Sequence, residues 1–387
     1  MTRFCSLTLA FVSMAFMGFV GSGCSPVTPP LSPIALTPTV TASASVTFSP
    51  TATSTPGWYT MGSASVTTGP VSFFSLAVAN NTPDIAASRL PNGNPFASTY
   101  MGGFWANMGN LSGQWFWVQP SLVLNGTIPT VAFADAAYGK ASVLSYNGSS
   151  WTNVGNADFS PGQVGGLSLA TYNGTLYLAF ADQNDGGKAT VMTYNGADWV
   201  DEGNADFSAG SISSPSLVVS NGTLYLAFVD NGNGGKATVM TLNGSIWADV
   251  GSAGFSTVGA SQTTLAVSGG TLYVAFADTT NSYRATVMTS TGGAWSVLGS
   301  QDFSPGMALW PSLALKNGVP CVAYSDASNG YKATVMTYTG GAWAHLGSVG
   351  LSVSSTYETN LVFSNNTLYL AYADDNNGDN VTIQYYQ

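Results

Sequence analysis

Six aspartates and five cations recur in one register, and they are the first residues whose chemistry asks for an explanation. Asp135, Asp182, Asp230, Asp278, Asp326 and Asp374 each close an apolar run, and Lys140, Lys188, Lys236, Arg284 and Lys332 follow the first five after five or six residues. A carboxylate repeated at turns suggests calcium, which takes roughly six to eight oxygen ligands. In five of the six cases, however, a cation stands where a further oxygen would be needed. The expected role is therefore structural, each Asp and its cation bridging a hairpin mouth or neighbouring units. The seventh unit lacks the cation, so Asp374, Asp375 and Asp379 form a weak calcium candidate. No other metal and no cofactor is expected.

The search for catalytic residues returns none. His345 is the sole histidine, and in a sister unit Asp249 occupies its place, so it is expected on the surface of an outer strand. One histidine cannot build a multi-histidine metal site, and no serine or cysteine elbow accompanies it. The stretch DDNNGDN at 374–380 superficially resembles the calcium loops of FG-GAP propeller repeats. TYNGADW at 193–199 sits where sialidase-type propellers carry their Asp-box, but only its glycine matches and Tyr194 holds the aspartate position. Sialidase chemistry would also need an arginine cluster, and only Arg89 and Arg284 follow Arg3. A carboxylate pair assembled from scattered Asp and Glu is left open.

Aromatic residues outside the repeat give the stronger binding signal. Trp115, Trp117 and Trp310 lie in segments that lead from one unit to the next, and Tyr138, Tyr283 and Tyr331 lie in the turns that carry the aspartates. If those segments share a face, the rings form a rim suited to sugars, which are held by apolar ring faces and hydroxyl hydrogen bonds.

The elements that would position these residues follow from the repeat. The leucine of an SL pair, or its equivalent, recurs at 76, 122, 169, 217, 265, 313 and 361, and a tryptophan at 58, 105, 151, 199, 247, 295 and 343. Each unit of about 48 residues reads as four short strands, A to D, with Asn-Gly hairpin turns such as Asn173-Gly174 and Asn195-Gly196. Seven such units predict an all-β, seven-bladed propeller of four-stranded antiparallel blades. The final unit stops after strand C, whereas GWYTMG at 57–62 is a strand D without predecessors, so the N-terminal strand is expected to complete the last blade and close the ring. The repeat tryptophans, with Phe159, Phe207, Phe255 and Phe303, are expected to pack between blades, and Cys321 to pack inside a strand.

Three segments precede or form the fold: a signal peptide at 1–23, a Pro/Thr/Ser-rich linker at 24–56, and the propeller at 57–387. Small residues before Cys24 resemble the lipobox of bacterial lipoprotein precursors, which makes Cys24 the expected lipid attachment site. Cys5 and Cys24 fall before the fold and Cys321 is alone within it, so no intrachain disulfide framework is expected. Charged residues are only 7%, and the net charge of −10 argues against nucleic acid and anionic membrane surfaces as partners. A monomer is expected, with membrane association only through the lipid, either as an outer-membrane or cell-surface lipoprotein or as a secreted protein.

The cassette motifs KATVMTYNG, W followed by VG, GFS, and SLAV followed by GTLYLAFAD resemble those of bacterial exported repeat proteins predicted to be propellers. The resemblance covers 57–387 and implies a surface-exposed binding or adhesion module. The expected function is recognition of a glycan or a cell-surface protein on the loop face. A polysaccharide-active hydrolase or lyase using carboxylates there, and a structural surface component, are the alternatives. Blade 1 departs most from the cassette, with Arg89 in the aspartate slot.

Overall fold

The structure, a computed structural model, describes residues 56–63, 65–67, 69–90, 94–111, 118–135 and 137–387. The expected signal peptide and Cys24, nearly all of the linker, and Trp115 and Trp117 lie outside them. The chain folds into seven four-stranded antiparallel sheets. Strand β1 (Trp58–Thr60) comes first in the chain, ahead of blade 1. Blade 1 holds β2 (Val71–Ala79), β3 (Thr82–Arg89), β4 (Asn94–Met101) and β5 (Phe104–Asn110), and blade 2 holds β6 (Ser121–Asn125), β7 (Ile128–Ala134), β8 (Ala141–Tyr146) and β9 (Trp151–Asn153). Blade 3 holds β10 (Val164–Tyr172), β11 (Thr175–Asp182), β12 (Lys188–Tyr194) and β13 (Trp199–Asp201). Blade 4 holds β14 (Ile212–Ser220), β15 (Thr223–Asp230), β16 (Lys236–Asn243) and β17 (Ile246–Asp249). Blade 5 holds β18 (Ala260–Ser268), β19 (Thr271–Asp278), β20 (Arg284–Ser290) and β21 (Trp295–Val297). Blade 6 holds β22 (Ala308–Lys316), β23 (Val319–Asp326), β24 (Lys332–Thr339) and β25 (Ala342–His345), and blade 7 holds β26 (Thr356–Ser364), β27 (Thr367–Asp374) and β28 (Asn380–Tyr386).

The hairpins form where the sequence places them. Asn173 and Gly174 both adopt positive φ, 48° and 85°, which is the twist a two-residue turn needs between β10 and β11. Middle strands such as β11, TLYLAFAD, are buried along most of their length because a blade is covered on both faces by its neighbours. Ring closure is as the sequence implies: β1 pairs antiparallel with β28, matching Trp58 to Tyr386 and Thr60 to Gln384. The sheet of the seventh blade therefore has four strands like the others.

Three repeated devices hold neighbouring blades together. Each repeat tryptophan donates its indole N–H to a carbonyl of the preceding blade, as Trp199 does to Val154 O at 2.8 Å, and Trp58 makes the closing bond to Leu346 O at 2.7 Å. Phe159, Phe207, Phe255 and Phe303 stack on the tryptophan of the following blade, with centroids 4.0–4.7 Å apart and planes within 10° of parallel. On the inner side, Ser75, Ser121, Ser168, Ser216 and Ser312, with Thr264, accept at Oγ from the next blade's SL leucine N–H. Cys321 is buried as a free thiol in β23, as expected of a packed strand residue.

The expected pairing of the repeat aspartates with their cations requires correction. Asp182 and Lys188 do face each other in the backbone register. The one ion pair among the described residues, however, is Lys188 with Asp185 at 3.3 Å, and none of the pairs Asp135–Lys140, Asp182–Lys188, Asp230–Lys236, Asp278–Arg284 or Asp326–Lys332 forms a salt bridge. The aspartates find their hydrogen bonds locally instead. Asp135, Asp182, Asp278, Asp326 and Asp374 each accept from the backbone N–H two residues on, at 2.6–3.0 Å, and Asp230 accepts from Asn233 and Thr238 side chains. A short buried carboxylate can turn into its own loop, whereas a long cationic stem runs outward, as Arg284 does to reach Pro305 O at 3.1 Å.

Candidate functional site

The B-to-C turns and the D-to-A segments lie at one end of the blades, so each inner A strand starts at that end. Two residues into β14 the ladder slips: Ser213 pairs with Val229, but Ser216 pairs with Ala227. The extra residue is a β-bulge, and equivalent slips occur in β2, β10, β18, β22 and β26. In four consecutive blades the bulge forces a non-glycine residue into the left-handed region: Ser214 (50°), Gln262 (56°), Trp310 (55°) and Glu358 (57°). Each costs on the order of 1 kcal/mol, and strain of this kind collects at binding sites.

The bulges surround a cavity of about 470 Å³ where the seven inner strands meet. Every lining residue belongs to an inner strand or to the residues just ahead of one. The slot three before each SL leucine carries Phe73, Gln119, Gly166, Ser214, Gln262, Trp310 and Glu358, all of them on the cavity wall. Trp310 thus belongs to the bulge of β22 rather than to the connecting loop in which the sequence placed it. Its N–H donates to Gln262 Oε1 at 2.8 Å and its carbonyl accepts from Thr359 Oγ1 at 2.7 Å, so both neighbouring blades hold its backbone.

Glu358 differs from everything else in the wall. It is 2% exposed, its Oε2 accepts from Phe74 N–H at 3.2 Å, and its Oε1 has no hydrogen-bond partner. Burial pushes this carboxyl well above the usual carboxylate range, and the Phe74 N–H opposes the rise only in part. It is also the single ionisable side chain among the described lining residues, so the two-carboxylate chemistry of a glycosidase does not assemble in the cavity.

The tyrosines of the expected rim lie elsewhere. Tyr138, Tyr283 and Tyr331 are 64%, 41% and 43% exposed on B-to-C turns and do not line the cavity. Tyr283 and Tyr331 take positive φ, 57° and 60°, in the slot where Gly139, Gly187 and Gly235 stand in other units. Nearby, Asp278 and Asp302 interact. Burial raises Asp278, but hydrogen bonds from Thr280 and Gln301 outweigh it and hold the group below the usual range. Asp302 is raised, by burial first and then by the Asp278 charge. With Thr280 N, Thr280 Oγ1 and Gln301 Nε2 all on Asp278, this carboxylate is a fixed turn acceptor.

The weak calcium candidate is not built as a cage. Asp374 accepts from Asn376 N, Asp375 accepts from the Ser355 hydroxyl, and Asp379 is raised by burial and by its neighbour Asp375. Among the described residues no group of three or more His, Cys, Asp or Glu has the geometry to hold a metal ion. Arg89, in the aspartate slot of blade 1, places its guanidinium 4.0 Å from the Phe96 ring centroid.

Sequence reasoning missed Gln119, Gln262 and Glu358. The signal was present: the slot three before the leucine holds six residue types in seven units, whereas the slot next to the leucine holds serine in five.

No family model and no curated protein matches this chain. Among solved structures, the fungal Aleuria aurantia lectin, described as a six-bladed β-propeller with a novel fucose recognition mode, matches with a TM-score of 0.50 at 15% identity, covering 76% of this chain and 97% of that one. A mutant of the same lectin in complex with alpha-methyl-L-fucoside matches at 0.50 and 14% identity, covering 73% and 97%. A protein of unknown function from Dyadobacter fermentans matches at 0.47 and 10% identity, covering 86% and 100%. These likenesses concern the propeller fold, and the present chain has seven blades.

Proposed function

We propose that this protein is a non-catalytic glycan-binding module whose site is the central cavity at the loop end of the ring. One observation carries the reading: the slot three before the SL leucine, which holds six residue types in seven units, lines the cavity, where it supplies an aromatic ring from Trp310 beside amide side chains from Gln119 and Gln262. Sugars are held by such sets, an apolar face against the ring carbons and fixed polar groups on the hydroxyls. The likeness to fucose-binding propeller lectins is in keeping with it. Tyr138, Tyr283 and Tyr331, exposed on the same face, would extend the contact for a longer glycan. Export through the signal peptide, anchoring through a lipid on Cys24, presentation on the linker, and membership among bacterial exported repeat proteins belong to the same proposal. So does a monomeric state.

A glycan array probed with the full-length chain and its Trp310→Ala variant tests the reading. Binding that disappears in the variant while the far-ultraviolet circular dichroism stays unchanged supports it. Wild-type protein that binds no glycan, or a variant that binds as well as wild type, rejects the cavity as the site.

A further inference from the structure

Glu358 is over-equipped for a structural part. At the junction of blades 5 and 6 this slot makes its bond with a neutral amide, Gln262 Oε1 accepting from Trp310 N–H, and a glutamine at 358 could likewise accept from Phe74 N–H. The chain instead has a carboxyl whose second oxygen is buried and unpaired, on a backbone held at φ +57°. A buried polar atom left without a partner is destabilising. Three features are thus unfavourable to folding at one residue on the cavity wall: burial of an acid, an unused oxygen and a left-handed backbone.

The surroundings define what would complete it. Among the described residues no lysine, arginine or histidine lines the cavity, and no charged side chain of β2, β22 or β27 contributes to the titration of Glu358. The neighbouring titratable group is Tyr357, whose hydroxyl is spent on Val71 O and whose own ionisation is pushed out of reach by burial and nearby carboxylates. Burial therefore favours the protonated form of Glu358. Because Oε2 already accepts from Phe74 N–H, the proton belongs on Oε1, which becomes a donor in want of an acceptor. A ligand carrying negative charge would meet no counter-charge here, and burying an unpaired charge is costly.

We infer that Oε1 of Glu358 donates to an acceptor oxygen of an uncharged, hydroxyl-rich ligand, so that the cavity takes a neutral sugar residue and disfavours the corresponding uronic acid. The inference rests on the glycan reading above and adds the charge class of the sugar. The cavity volume of about 470 Å³ lies within the range of roughly 300–1,000 Å³ usual for small-molecule sites.

The test is calorimetric titration of the full-length chain with methyl glycosides of glucose, galactose, mannose and fucose, and with glucuronic and galacturonic acid. Wild type, Glu358→Gln, Glu358→Leu and Trp310→Ala are compared. At least one neutral glycoside binds wild type, and the uronic acids bind at least about tenfold more weakly. Glu358→Leu loses about tenfold, the equivalent of one donor. Glu358→Gln keeps an acceptor for Phe74 and a donor for the ligand, and binds within a few-fold of wild type. Wild-type affinity falls as pH rises through the ionisation of Glu358, whereas that of Glu358→Gln stays level. If Glu358→Leu does not fold, this comparison of pH profiles decides alone. Uronic acids that bind as well as neutral sugars, a Leu variant equal to wild type, or identical pH profiles would overturn the inference. Loss of binding in Trp310→Ala with full binding in Glu358→Leu would leave the glycan reading standing without it, and failure of wild type to bind any sugar would remove both.

Discussion

Replacing Asp84 with asparagine should stabilise the propeller in a pH-dependent way. Asp84 lies in β3 in the place held by Tyr177, Tyr225 and Tyr273 in sister blades, and it is 6% exposed beside a pocket of about 290 Å³ between blades 1 and 2. Burial raises its pKa from 3.8 to about 6, against a smaller lowering by a hydrogen bond from Thr99, its cross-strand partner. Below the unfolded value both states are protonated and the group is neutral in its effect. As pH rises from 3.8 to about 6 the unfolded chain ionises while the folded chain does not, so stability falls across that window and stays low above it. At about 1.4 kcal/mol per pH unit the gap amounts to about 3 kcal/mol. Asparagine retains a hydrogen-bonding partner for Thr99 and removes the titration. Urea unfolding of wild type and Asp84→Asn at pH ~3.5 and pH ~7 gives the difference directly, since all other carboxyls cancel. The advantage of the variant should grow by about 3 kcal/mol between the two conditions. An advantage of equal size at both would refute the assignment of a raised, buried carboxyl to Asp84.

Two further tests address the ring itself. Trp247→Phe keeps an aromatic face for Phe207, stacked at 4.7 Å, but removes the 2.8 Å bond to Glu202 O, and should lower stability by about 1–2 kcal/mol. Trp247→Ala removes the buried ring as well and should lower it by about 3–5 kcal/mol; in thermal denaturation, a Trp247→Phe midpoint equal to wild type would contradict the indole bond, and equal midpoints for the two variants would contradict the contribution of the ring. Gly174→Ala and Gly251→Ala form a matched pair, with φ of 85° and 83°. At Gly174 a methyl meets nothing within 4 Å, so only left-handed strain of about 1 kcal/mol is expected, whereas at Gly251 it would sit 1.8 Å from Gly293 O. Denaturant unfolding should show a clearly larger loss for Gly251→Ala, and equal losses would count against the close approach of blades 4 and 5.

The inner wall shows how a repeat protein builds an asymmetric site. The Ser Oγ bonds to the next blade's leucine N–H, and the indole bonds to the preceding blade, repeat almost without change. They set the positions of the bulge residues, and the bulge slot is then free to vary. At the junction of blades 7 and 1 Asn360 stands in the serine slot, and the bond across the inner wall runs instead from Phe74 N–H to Glu358.

Much of this architecture was legible in the chain because it depends on local chemistry repeated seven times. Asn-Gly pairs dictate tight hairpins, a period of about 48 residues dictates blades, and an unpaired D strand at one end with a missing one at the other dictates closure. The repeat of tryptophan and phenylalanine likewise announced packing between blades. What the sequence could not decide was where side chains turn once the blades are assembled. The aspartate and cation of each hairpin are opposite in register, yet the carboxylate finds a nearer amide in its own turn. Trp310 reads as part of a connection, but a one-residue bulge carries it into the wall of a cavity that exists only when seven strands from distant parts of the chain meet. Glu358 is unremarked in the sequence, because its burial, its unused oxygen and its protonation are created by β2 of the first blade closing against β26 of the last. Local propensity acts over a few residues, whereas desolvation and the meeting of distant strands belong to the assembled ring.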